Sequence, residues 1–283
     1  MSDNQKTLNT SIEFSGVGLH TGKDVHMLIE PAKINHGIKF QRIDLESQPI
    51  LPADINLVTD TQRSTTLEKD NVKIVTVEHL MSALYALGVN NVLIKINNSE
   101  VPILDGSAKH FVEEIQRVGL EIQDAPLKYI HLPKPIHYKD PETGSEILFV
   151  PANNFIISVV LDYENIALGT QYAEIRDLKD YSTEIAPCKT FVFLTELEKL
   201  ANANLIKGGG LENAIVMIDR KDTKTSEIKK LAHLLGKDDS DIQINGNVLN
   251  NCELQFHNEP ARHKLLDVIG DLALVGMPIK GHI

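Results

Sequence analysis

Two short helical stretches stand 188 positions apart (267 − 79) and can be laid over each other. The first is His79-Leu80-Met81-Ser82-Ala83-Leu84-Tyr85-Ala86-Leu87-Gly88. The second is Asp267-Val268-Ile269-Gly270-Asp271-Leu272-Ala273-Leu274-Val275-Gly276. Their apolar patterns agree, and each ends at a glycine, the residue best suited to stop a helix in the left-handed conformation. A match of this kind predicts a chain of two related halves, each lending the end of one helix to a shared site. The alternative is a chance likeness between two Leu/Ala-rich helices.

The overlay sets His79 opposite Asp267, and Asp267 has a second partner on its own helix. Pro260 can open that helix, because its missing N–H would be unpaired in the first turn anyway. His263 and Asp267 then stand at i and i+4, so both project from one face. An imidazole and a carboxylate so arranged offer two ligands to zinc, which takes four in all and leaves one for water in a catalytic site. His79 supplies the third. Glu78 leaves the helix about 100° away from His79, so it is expected beside a metal rather than on it, placed to take a proton from bound water. The plainer alternative for His263 and Asp267 is a surface pair, since this spacing arises freely on amphipathic helices.

The rest of the chain reads as strands and a few helices. Alternation from Thr10 bends through Gly16, Gly18 and Gly22, and strands follow at Val25–Pro31, Gly37–Ile43, Asn71–Thr76 and Asn91–Asn97. The three glycines around Leu19 and His20 suit either a close approach to a ligand or a plain hairpin. Asp105-Gly106 is a turn before a helix at Ser107–Val118. The pattern resets near Pro126. Strands are expected again at Tyr129–Leu132, Glu146–Val150, Phe155–Leu161 and Pro187–Leu194, the last carrying Thr190. Thr195 and Glu198 read as the capping box of a helix to Leu205. Lys207-Gly208-Gly209-Gly210 lacks the Lys-Ser/Thr of a phosphate loop, and a short helix is expected at Ser226–Leu235.

Charge and cysteine content narrow the function. A net charge of −11 argues against nucleic acid as a partner, while leaving room for an anionic small molecule met by a local lysine. Cys188 and Cys252 make no disulfide framework, and with no apolar leader or membrane-length run a cytoplasmic setting is expected.

Four motifs in series carry a family resemblance: Thr76-Val-Glu-His-Leu80, Val101-Pro-Ile-Leu-Asp-Gly-Ser-Ala108, Lys189-Thr-Phe191 and Arg262-His-Lys-x-x-Asp-x-x-Gly-Asp271. Together they resemble the zinc-dependent UDP-3-O-acyl-N-acetylglucosamine deacetylases of lipid A synthesis, from about Ser15 onward. The resemblance implies an α+β fold of two halves, 1–125 and 126–283, each of sheet layers packed on helices, with the active site in the cleft between them. It implies Zn2+ on His79, His263 and Asp267, Glu78 as general base, and Thr190 as an oxyanion donor. Lys264 would meet negative charge, and Asp271 would pair with a general-acid histidine. Leu19 would lie near the mouth, and Phe191, with Phe193, Leu197, Leu200 and Leu205, would line a passage for the acyl chain. The substrate is then a UDP-linked acylated glucosamine. A zinc hydrolase of another amide, such as a peptidase, and a non-catalytic binder of the sugar nucleotide are the competing readings.

The family's acid histidine lies in a Gly-His pair, and Gly281-His282 comes too early, 19 residues after His263 (282 − 263). The expected counterpart falls just past Ile283, as in a deacetylase cut short, such as one severed from a fused dehydratase domain, and this fragment is expected to be a monomer. On that expectation the 283-residue chain folds and binds zinc. It turns over roughly 100- to 10,000-fold below a form carrying the positioned acid. Assaying this chain, its His282→Ala variant and a form extended in its natural frame checks this. Equal turnover of the short and long forms, lost in His282→Ala, would instead make His282 the acid.

Overall fold

A computed structural model of the protein describes residues 4–163, 168–202, 207–210, 212–219, 226, 228–229, 244–249 and 254–283. Strands that alternate apolar and polar residues build the first half. In its five-stranded sheet the order is Ile12–Val17, Asp24–Pro31, Val92–Ile96, Ile38–Arg42, Ile50–Pro52. Every second side chain of these strands turns inward: Ile12 and Phe14, Val25, Met27 and Ile29, then Val92, Ile94 and Ile96 are buried. Against that face lie helices α1 (Glu78–Ala86) and α2 (Lys109–Val118), the latter anchored by an edge-on contact of Phe111 with Phe14. A small three-stranded sheet (Val58–Asp60, Thr66–Lys69, Val72–Ile74) leads into α1, and Asn4–Leu8 pairs with Leu120–Pro126.

The second half repeats the strand-rich plan. One sheet runs Ile130–His131, Ile279–His282, Phe155–Asp162, Thr170–Ile175. Another runs Phe191–Phe193, Ile215–Met217, Val248–Leu249, Ile244–Asn245. The helices here include α3 (Tyr181–Glu184), α4 (Leu194–Asn202) and α5 (Glu259–Ala273). The class is α+β, as expected. Among the described residues, strand pairing stays on one side or the other of Pro126, yet one apolar core joins both sides. Leu80, Met81 and Leu84 of α1 share it with Leu265, Leu266 and Ile269 of α5.

The crossing of α1 and α5 organises the molecule. Gly270 makes it close: a Cβ there would lie 2.0 Å from the carbonyl oxygen of Glu78. Ser82, the counterpart of Gly270 in the internal match, is fully buried and donates to the carbonyl of His79 at 2.9 Å. Both closing glycines of the match adopt the left-handed conformation, Gly88 at φ 74° and Gly276 at φ 80°. Helix α5 starts at Glu259 with Pro260 in its first turn.

Several local expectations shift. The strand expected at Pro187–Leu194 is confined to Phe191–Phe193, which leaves Thr190 in the segment before it. Thr195 lies inside α4 rather than capping it, because the helix begins at Leu194. The carboxylate of Asp219 takes the Thr195 N–H at 3.1 Å and also its hydroxyl. His282 is held more firmly than its place near Ile283 leads one to expect. Its backbone exchanges hydrogen bonds with Val150 at 2.7 and 2.8 Å, and its Nε2 meets Ser158 Oγ at 2.8 Å. Of the helix expected at Ser226–Leu235, the described residues Ser226, Ile228 and Lys229 are helical, and its remainder lies outside the described residues, as does the end of the Leu205 segment.

Gly270→Ala tests the crossing. A methyl pressed against backbone cannot be absorbed by a rotamer change, so a loss of about 1–3 kcal/mol or more is expected, read as a lower urea midpoint. An unchanged midpoint would mean the helices are not in register at this point.

Candidate metal centre

The crossing brings three predicted ligands together from two helices. His79 is the second residue of α1, while His263 and Asp267 stand one turn apart in the middle of α5. His79 Nε2 faces His263 Nε2 at 3.1 Å and Asp267 Oδ1 at 3.7 Å. His263 Nδ1 is 3.5 Å from Asp267 Oδ2. One donor atom from each lies within 4.8 Å of the others, the only such group of three or more among the described residues. The surface-pair alternative fails here, since His79 and His263 are buried.

Donor chemistry fits a cation. Asp267 Oδ1 is buried and has no hydrogen-bond partner, and an unpaired buried carboxylate oxygen is costly unless something positive meets it. Burial pulls the imidazole of His79 down to about 3, helped by the neighbouring His263, so it is neutral and free to donate a lone pair. Burial works against ionisation of Asp267, but His263 and Lys264 together hold its carboxyl well below the usual range. Two nitrogens and one carboxylate oxygen, with a position left open, form the donor set of a catalytic zinc site.

The other predicted residues surround this group. Glu78, Thr190, Phe191, Lys264 and Asp271 all line one cavity of about 630 Å³ with His263 and Asp267. Glu78 is pushed up to about 8, by burial first and then by the charges of Asp267 and Asp271, against the backbone N–H groups that it accepts. Asp271 rises to about 6 through burial, opposed by its bond from Thr65. Lys264 Nζ donates to Asp267 Oδ2 at 2.9 Å, and that carboxylate raises its pKa. Leu19 does not line this cavity; its carbonyl accepts from Gly208 N at 3.0 Å in the loop behind.

Three residues that the sequence did not single out hold the arrangement. Thr65 bridges both helices: its N–H donates to Glu78 Oε2 at 3.0 Å, and its hydroxyl to Asp271 Oδ1 at 2.6 Å. Glu259, buried in the first turn of α5, accepts from the backbone of Lys189 at 2.9 Å and of Gln255 at 2.7 Å. That contact fixes the chain just before Thr190, whose own N–H donates to Gly106 O at 2.8 Å. Tyr163 packs edge-on against Phe191 and Phe193, making one aromatic wall of the cavity. The hydroxyl run Ser64-Thr65-Thr66 is visible in the sequence, but the burial of all three, on which the role of Thr65 depends, is not.

The chain is similar to known proteins over nearly its whole length. The profile of the UDP-3-O-acyl N-acetylglycosamine deacetylase family matches residues 5–232 and 235–283. A bifunctional enzyme LpxC/FabZ of Bacteroides thetaiotaomicron is 49% identical over 279 residues, covering 99% of this chain and 60% of that protein. A UDP-3-O-acyl-N-acetylglucosamine deacetylase of Thermosynechococcus vestitus is 38% identical, covering 98% of this chain and 87% of its own length. One of Chlamydia muridarum is 39% identical, with coverage of 99% and 88%. The chain spans about 60% of the length of the bifunctional relatives that it matches.

His79→Ala and Asp267→Ala should each lose stoichiometric metal when the proteins are loaded with Zn2+, desalted and analysed for metal. Full retention in both would remove these residues from the ligand set.

Proposed function

This chain belongs to the UDP-3-O-acyl N-acetylglycosamine deacetylase family, and from that membership we propose that it hydrolyses the N-acetyl amide of a UDP-linked 3-O-acyl glucosamine, releasing acetate. The observation that carries the reading is the group of buried His79 and His263 with part-buried Asp267, and Glu78 in one cavity with His263 and Asp267. His79, His263 and Asp267 would hold Zn2+, which when bound polarises an amide carbonyl and brings the pKa of water from about 15.7 to about 7.

The remaining roles belong to the chain's own side chains. Glu78 leaves α1 beside His79 and at a different angle, so in its ionised form it is free to take the proton of the attacking water. Its second oxygen keeps the Thr65 N–H, which holds the carboxylate toward the cavity. Thr190 donates its hydroxyl to the oxygen that becomes negative when water adds to the amide, worth about 3 kcal/mol for a single well-placed donor. Lys264 is part-exposed beside Asp267 and supplies positive charge to an anionic part of the substrate. Asp271 is held by Thr65 at the back of the cavity, where it would orient a proton donor for the departing amine. Phe191 and Phe193, with Tyr163, offer an apolar wall suited to the acyl chain, whereas Leu19 takes no part in lining it.

Among the described residues no helix is long and apolar enough to cross a membrane. A cytoplasmic setting belongs to this proposal, as does zinc over other divalent metals.

The test compares substrates and variants. Acetate release from the acylated sugar nucleotide, absent with N-acetylated peptides, supports the reading; release from peptides alone would replace it with a peptidase. In a form that turns over, Glu78→Ala should keep its zinc and lose turnover by roughly 100-fold or more, the range for positioned bases. Loss of zinc in that variant would make Glu78 a ligand, and near-normal turnover would remove it from the chemistry.

A further inference from the structure

We infer that Glu100 is a positioning residue, which sets the loop Gly18–Thr21 and the entry to α1 in register with each other; its catalytic consequence rests on the deacetylase reading. Glu100 is wholly buried, and its carboxylate takes four donors. Oε1 accepts the His20 N–H at 2.9 Å and the Thr76 hydroxyl at 3.1 Å. Oε2 accepts the Thr21 N–H at 2.9 Å and the Thr21 hydroxyl at 2.8 Å. Each oxygen is therefore satisfied twice, which is what a buried carboxylate needs when hydrogen bonds take the place of water.

The origin of the donors carries the inference. All four come from two segments far apart in sequence, and the one at Thr76 leads directly into α1 and the candidate site. Thr76 has φ 60°, a left-handed backbone that a β-branched residue adopts only when its surroundings impose it. Two residues later stands Glu78, and next to it His79. Glu100 itself is fixed beside this point, since its strand residue bridges Val75, with Val101 N donating to Val75 O at 3.0 Å. The Thr76 hydroxyl bond thus ties the strained turn that aims α1 to a rigid neighbour.

On the other side the carboxylate shapes the glycine loop. A Cβ on Gly18 would lie 2.4 Å from Glu100 Oε2, so the absent side chain makes room for the carboxylate. The same loop then receives the second half of the chain. Gly208 N donates to Leu19 O at 3.0 Å, and a Cβ on Gly208 would fall 2.2 Å from Gly18 O. Gly18 and Gly208 are therefore interlocked backbone to backbone, and Glu100 lies directly beneath. The Gly-Gly-Gly run, which has no phosphate-loop chemistry, has its place in this seat. One buried side chain thereby joins the loop carrying Leu19, the seat of Lys207–Gly210 and the start of the helix that presents Glu78 and His79.

Glu100→Gln tests the inference, because it keeps the shape while putting an NH2 where an oxygen accepts two donors. In the zinc-loaded chain, amide exchange at His20 and Thr21 should speed up roughly 10- to 100-fold. Exchange in the middle of α1 and α5 should stay unchanged, and so should the zinc content. In a form that deacetylates, kcat/KM should fall by about tenfold or more. Exchange that rises equally throughout both helices would make Glu100 an ordinary stabilising residue and overturn the inference. So would unchanged exchange at His20 and Thr21, or a loosened loop with normal kcat/KM. Should the wild-type chain and its extended form release no acetate, the substrate reading falls, and the inference is then decided by localised exchange with zinc retained. If Glu100→Gln does not fold, Thr21→Val and Thr76→Val each remove one hydroxyl donor from the same carboxylate. Each should give a smaller loosening confined to the same amides; no effect in either would overturn it.

Discussion

The contact on which the rest depends is the one between Gly270 and the Glu78 carbonyl. Two helices cross there with no side chain between them, and everything polar in the centre follows from that closeness. Positions His263 and Asp267 share a face of α5 because helical residues four apart do. His79 meets them because the first turn of α1 lies on that face. Its neighbour Glu78 is turned aside by helix geometry alone. The arrangement buries two imidazoles and three carboxyl groups in a small volume, which would oppose folding unless charges were matched. The shifts seen there express that pressure: Asp267 stays ionised between His263 and Lys264, while Glu78 and Asp271 are pushed toward their protonated forms.

Around the centre, buried carboxylates take backbone N–H groups and so fix loops that have little apolar surface of their own. Glu259 anchors the segment before Thr190, Glu100 anchors the loop at Leu19, and Glu78 itself anchors Thr65. Hydrogen bonds to a charged acceptor are stronger than neutral ones, and each of these replaces water that the closed core excludes. Thr65 goes further, because its two donors couple a residue of α1 to one of α5 without touching the ligands. The proposed chemistry thus draws on both halves, held by contacts that are mostly backbone.

Much of this was legible in the residues, for definite reasons. His263 and Asp267 were readable because helical spacing converts directly into a shared face. His79 and the closing glycines were readable because the internal match aligns them, and both glycines do take the left-handed form. The four motifs supplied the family, which the profile match over nearly the whole chain bears out. Thr65, Glu100 and Glu259 were not readable, since each acts through partners 13 to 206 positions away or through backbone N–H groups that no sequence pattern marks. Thr195 misled for a related reason: a capping box is local, whereas Asp219 reaches that threonine across 24 positions. The Gly-Gly-Gly run was readable as something other than a phosphate loop, but its seat on Gly18 needed three dimensions.

X-ray absorption at the zinc edge of the metal-loaded protein addresses the central claim most directly. Two imidazole donors and one carboxylate oxygen from the crossing of α1 and α5 predict a shell of nitrogen and oxygen at about 2.0–2.2 Å. Outer-shell scattering should correspond to two imidazole rings, and His263→Ala should remove that pattern. A sulfur shell near 2.3 Å, or a two-imidazole signal that survives the loss of His263, would place the metal elsewhere and contradict the account.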